Sequence, residues 1–119
     1  MNVLIIDDEP SIRQTVSLIL GEEGYEVQVA SDGEEGLARA LESGPDMILC
    51  DVRMPRLSGL DFLERYRAQG GQGLVIVMTA YGSMELAIQA MQKGAYDYLP
   101  KPFGPEALLL TLRKAVERE

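Results

Sequence analysis

Asp7, Asp8 and Glu9 stand in a row directly after the apolar run "VLII", and Asp51 directly follows a second run, "MILC". Thr79 closes a third run, "LVIVM", and Lys101 lies between two prolines after the short mixed segment "YDYL". Adjacent carboxylates repel, and at about 5 Å and an effective dielectric of about 20 one pair costs on the order of 3 kcal/mol. Such acids must either point apart into water or share a cation. Three carboxylates around a small space, in a chain with no histidine and a single cysteine, form the oxygen donor set of a hard divalent cation. Mg2+ takes one or two carboxylates and keeps waters that a phosphate can replace. Asp51 is then placed as a nucleophile, since carboxylates form aspartyl phosphates. A loose phosphoryl-transfer transition state needs positioning and charge neutralisation. Mg2+, the Lys101 ammonium and the Thr79 hydroxyl can supply both.

Each of these residues also has a plainer use. Asp8 before Glu9-Pro10 could cap a helix, Thr79 could end a turn, and Lys101 could be a solvated charge. Cys50, inside an apolar run, reads as a small core residue. Met84 and Met91 sit at helical spacing and read as packing. Joint placement is what favours chemistry, and it depends on the elements.

Those elements alternate. "NVLII", "YEVQVA", "DMILC", "LVIVM" and "YDYLP" read as strands. Pro10 suits a first helical turn, and Ile12, Val16, Ile19 and Leu20 recur at helical spacing before Gly24. Asp32 can cap "GEEGLARALES", which Gly44-Pro45 stops. Ser58 opens "GLDFLERYRAQ", Ser83 can cap "MELAIQAMQK", and Pro105 starts "EALLLTLRKAVER". Five strands alternating with five helices imply a parallel sheet covered on both faces. The first, third and fourth strands are apolar on both faces and belong inside the sheet. The second alternates, with Tyr25, Val27 and Val29 on one face, and the fifth is short and mixed, so both belong at the rims. The order 2-1-3-4-5 satisfies this, with a topological switch point between strands one and three. Ligands in such sheets bind beyond the carboxyl ends of the strands at that point. Asp7, Asp8 and Asp51 are therefore expected to converge, with Thr79 and Lys101 along the same edge.

The 119 residues fit one domain, 1–119, and 46% hydrophobic with 25% charged residues is ordinary for a globular chain. A net charge of −8 opposes nucleic-acid or acidic-membrane binding by this domain. One cysteine permits no internal disulfide, and no signal peptide or membrane anchor is visible, so a reducing, cytoplasmic setting is expected. The missing histidine removes Ser/His and Cys/His catalysis.

At "DDEP" (7–10), "DVRMPRLSG" (51–59), "MTAYG" (78–82) and "KGAYDYLPKPF" (93–103) the chain resembles the receiver domain of two-component response regulators. The resemblance implies a flavodoxin-like, doubly wound α/β fold. It makes Asp51 the phosphoacceptor, with Asp7, Asp8, Asp51 and the main-chain carbonyl of Arg53 holding Mg2+. It makes Thr79 and Lys101 the phosphoryl-binding pair and Tyr98, with Thr79, the switch. The implied donor is a phosphohistidine on a sensor histidine kinase or phosphotransfer protein, and the Lys101-Pro102 bond is implied to be cis. The run from Thr79 to Phe103 is similar to receivers of the nitrogen-regulation (sigma-54-dependent) class of transcriptional activators, whose ATPase and DNA-binding domains follow the receiver. The chain stops at "RKAVERE", within helical sequence, so an N-terminal receiver of a longer regulator is expected, with the output domain outside this chain and a stand-alone receiver as the alternative.

The expected consequence is a switch read on the face of the fourth helix, fifth strand and fifth helix. Leu108, Leu109, Leu110 and Leu112 exceed one buried stripe, so some are expected to meet a partner such as a second receiver, with core packing as the alternative. Arg53 and Tyr81, each two positions beyond Asp51 or Thr79, are expected to slow hydrolysis of the acyl phosphate. An aspartyl phosphatase would need an acid where Arg53 stands. A flavin module would need a phosphate-cradling loop where "DDEP" stands. A receiver signalling without phosphate is the third alternative.

Overall fold

The fold is described from a computed structural model covering residues 1–80 and 84–117. The five strands are β1 (Asn2–Ile6), β2 (Glu26–Ala30), β3 (Met47–Asp51), β4 (Leu74–Thr79) and β5 (Asp97–Pro100). Between and after them run α1 (Pro10–Glu22), α2 (Gly33–Ser43), α3 (Gly59–Ala68), α4 (Met84–Gln92) and α5 (Pro105–Glu117). The strands form one parallel sheet in the order β2-β1-β3-β4-β5. This is the flavodoxin-like arrangement expected from the strand textures.

The doubly apolar central strands explain why both faces are covered. Alternate side chains leave a strand on opposite sides. Leu4, Ile6, Ile48, Cys50, Val75 and Val77 therefore pack on one side with Ala40, Phe62, Leu63, Tyr66 and Ala90 from α2, α3 and α4. Val3, Ile5, Met47, Leu49, Ile76 and Met78 pack on the other with Val16, Leu20, Leu108, Leu112 and Ala115 from α1 and α5. Val29 departs from the expected stripe. Tyr25 and Val27 pack against the α1–α5 core, but Val29 stays 38% exposed on the rim strand, which has a neighbour on one side only.

The helix ends follow local chemistry. Asp32 accepts from the Glu35 N–H at 2.8 Å, and Glu35 reaches back to the Ser31 N–H at 2.8 Å, so two orphan donors of the first turn region are satisfied. Gly44 takes the left-handed conformation that closes α2, at φ +60°. Ser58 caps α3 and Pro105 opens α5, as expected. The Ser83 cap expected for α4 lies outside the described residues. Of the leucine run, Leu108 and Leu112 are buried, Leu109 packs on the α1–α5 core, and Leu110 is half exposed. The core therefore absorbs most of the run. Among the described residues no helix is long and apolar enough to cross a membrane.

Asp32→Ala should lower stability by about 1 kcal/mol in urea unfolding, with Asp32→Asn nearly neutral. The bond from Ser31, helped by Arg39, holds the Glu35 carboxyl below its ordinary value. A depressed carboxyl stabilises the fold above its unfolded-state value, and that contribution is lost as pH falls through the folded one. Glu35→Gln should therefore flatten the acid limb of the stability profile without changing its neutral side in shape.

Candidate functional site

β1 and β3 are neighbours and end at the same edge, so the residues after Ile6 and at Asp51 meet. Asp7 extends the ladder by donating its N–H to the Ala30 carbonyl and is fully buried. Asp51 is 8% exposed and Asp8 is exposed. Carboxylate oxygens of Asp7, Asp8 and Asp51 all lie within 4.8 Å of one another. The acids converge rather than diverging into water.

β5 delivers the cation. The Lys101 N–H donates to the Thr79 carbonyl at 2.6 Å, which carries the β4–β5 pairing past the last ladder residues. The Lys101-Pro102 bond is cis. The ammonium donates to Asp7 Oδ2 at 2.8 Å and to Asp51 Oδ2 and Glu9 Oε1 at 3.3 Å each. Asp7 is held from other directions too. Its Oδ1 accepts from the Glu9 N–H at 2.9 Å, and its carbonyl accepts from Arg13 Nη1 at 2.7 Å.

The floor of the site is backbone packed on backbone. Gly59 donates its N–H to the Val52 carbonyl at 2.8 Å. A Cβ on Gly59 would overlap the Asp51 carbonyl and stand 2.8 Å from the Val52 Cα, so no larger residue fits without moving the nucleophile's main chain. The loop between β3 and α3 is fixed at its far end by Leu57 lying against Gly33, and by Arg56 4.0 Å from Asp32 and 3.7 Å from Glu34.

The electrostatics follow from burial. Desolvation pushes the Asp51 carboxyl above its ordinary value; the Lys101 ammonium pulls it back, while the Asp7 charge pushes it further up. Burial works against the Lys101 ammonium, but its bonds and attraction to Asp7 and Asp51 prevail and raise its value. The Cys50 thiol is driven well above its ordinary value by burial and then by the charges of Asp51 and Asp7, which makes it an inert core residue. The donor set fits Mg2+: it is all oxygen, its carboxylate oxygens converge, and three carboxylates leave net negative charge after the one Lys101 ammonium.

A family model described as the response regulator receiver domain matches residues 3–113. The chain belongs to the response regulator receiver domain family. It is 37% identical to the response regulator MprA of Mycobacterium avium over 118 residues, 99% of this chain and 52% of that protein. It is 36% identical to the regulatory protein AtoC of Escherichia coli over 115 residues, 97% of this chain and 25% of that protein. The crystal structure of the receiver domain of NtrX from Brucella abortus superposes with a TM-score of 0.92 at 34% identity, covering 98% of this chain and 99% of that one. The chain thus spans about half the length of the curated MprA relatives it matches, and a quarter of AtoC. As a receiver it is a phosphorylation-dependent signalling switch of a two-component system, not a classical enzyme.

The receiver fold brings Asp7, Asp8, Asp51 and Lys101 into one cluster and places Thr79, 4% exposed, at the adjoining strand end. Tyr98 is half-buried against the core shared with α2, α3 and α4. Arg53 is exposed and meets Asp51 through its N–H at 3.4 Å. Tyr81 lies outside the described residues. Glu9 was expected at this edge but without a partner, and Arg13 was not expected there. Arg13 could have been found as the first cation after the acidic run.

Removing the ammonium leaves Asp7 as a buried, uncompensated charge. Lys101→Met should cost on the order of 3 kcal/mol in urea unfolding. Adding Asp7→Asn should recover most of that loss, and a simple sum of the two single effects would contradict the pairing.

Proposed function

We propose that this receiver accepts a phosphoryl group on Asp51 from a phosphohistidine on a sensor histidine kinase or phosphotransfer protein. The observation that supports this most is the meeting of Asp7, Asp8 and Asp51 with the Lys101 ammonium at one strand edge. An Asp51 carboxylate oxygen forms the bond to phosphorus as the phosphorus–nitrogen bond breaks, and the donor imidazole leaves. Asp51 suits the attack because burial makes its carboxylate more basic than a solvated one. Asp7, Asp8, Asp51 and the Arg53 main-chain carbonyl would hold Mg2+, which offsets charge on the transferring group.

Lys101 and Thr79 bind oxygens of the new acyl phosphate. Lys101 then exchanges part of its hold on Asp7 and Glu9 for the phosphoryl group. A dianionic group gives the Thr79 hydroxyl a new acceptor, and movement there is transmitted to Tyr98 on β5. The readout face is α4, β5 and α5, where Met84, Ile88 and Leu110 are about half exposed. A second receiver or an output domain meets that face. In this reading 1–119 is the N-terminal receiver of a longer cytoplasmic transcriptional regulator, and the net charge of −8 leaves DNA contact to its other parts.

Intact mass after incubation with a small-molecule phosphodonor and Mg2+ should show one added phosphoryl group, absent in Asp51→Asn. An adduct that survives in the variant would move the site elsewhere. Sedimentation should show a change in self-association on phosphorylation, and identical profiles would count against receiver pairing.

A further inference from the structure

Glu9 occupies the N-cap position of α1, yet its side chain makes no capping bond to that helix. A carboxylate there is normally drawn to the free N–H groups of the first turn. Pro10 removes one of those donors, and the Glu9 main chain is fixed by Asp7 Oδ1 on its N–H and by the Arg13 N–H on its carbonyl. The side chain crosses instead to Lys101, 3.3 Å away, while remaining 58% exposed itself. This pair lines an open groove of about 450 Å³ together with Ile12, Ala80, Pro102 and Phe103. Lys101 thus reaches inward to Asp7 and Asp51 and outward to Glu9.

We infer that Glu9 is an electrostatic gate: pinned by Lys101 at the mouth of the site, its carboxylate opposes the approach of anionic phosphodonors to Asp51. The inference rests on the phosphoacceptor reading above. Glu9 acts through charge and through Lys101, so it is a positioning residue. Its charge opposes an incoming dianion about twice as strongly as a monoanion, and it adds to the attraction for a divalent cation. Neutralising it should therefore speed reaction with anionic donors while weakening Mg2+ binding, a pair of opposite effects that a loosened fold would not give.

The test compares the parent with Glu9→Gln at saturating Mg2+, using acetyl phosphate, a dianion near neutral pH, and phosphoramidate, a monoanion. With acetyl phosphate, the bond from Asp51 oxygen to phosphorus forms as the bridging oxygen–phosphorus bond breaks and acetate leaves. With phosphoramidate the phosphorus–nitrogen bond breaks and ammonia leaves. Intact-mass time courses should show Glu9→Gln accelerated roughly five-fold with acetyl phosphate and about two-fold with phosphoramidate, the gap narrowing at high salt. Titration calorimetry should show weaker Mg2+ binding in the same variant, and thermal unfolding should show an intact fold. Equal rates with parent for both donors, equal acceleration of both, or slower reaction would overturn the gate. A parent labelled by neither donor would overturn the phosphoacceptor reading itself.

Discussion

Two carboxylates leave solvent side by side at the ends of β1 and β3, and the arrangement stands only if positive charge reaches them. The nearest ammonium comes from β5, separated from β3 by β4 and from Asp7 by 94 positions in sequence. Parallel pairing of β3 with β4 and β4 with β5 sets the height of the strand ends, and the Lys101 N–H on the Thr79 carbonyl fixes where the lysine begins.

In the proposed function the same dependence would let the receiver take two states. Lys101 is shared among Asp7, Asp51 and Glu9, and none of these holds is exclusive. A new dianionic partner on Asp51 competes for the ammonium, and what Lys101 gives up, Asp7 must regain from another cation. On that proposal, charge balance at the acidic edge and the position of β5 would be linked. Because β5 lies between α4 and α5 in the chain and carries Tyr98, a redistribution of charge can become a change of surface.

Much of this was legible in the residues. The doubly apolar texture of "VLII", "MILC" and "LVIVM" placed three strands inside the sheet, and the carboxyl-edge rule then predicted that Asp7, Asp8 and Asp51 converge. Caps were legible where one side chain decides them, as at Asp32 and Ser58. Partnerships spanning the sheet were not. Lys101 was read as a group awaiting a phosphoryl oxygen, whereas it already neutralises Asp7, and that depends on a register three strands away. Arg13 acts through a main-chain carbonyl, which residue type does not reveal. Val29 followed the alternation of its strand but lacked cover at the rim. The leucines of α5 left surface and core open, because their spacing does not show how deep the helix packs; Leu108 and Leu112 are buried and Leu110 is half exposed.

In the proposed divalent-cation site at the acidic edge, Asp8 would be the solvent-facing ligand. Urea unfolding of the parent and of Asp8→Asn over a series of Mg2+ concentrations addresses it directly, since a ligand that binds only the folded state raises its stability with concentration. The parent's midpoint should climb with Mg2+, and the Asp8→Asn response should be largely lost. A parent midpoint indifferent to Mg2+, or a variant that responds as strongly as the parent, would contradict that site.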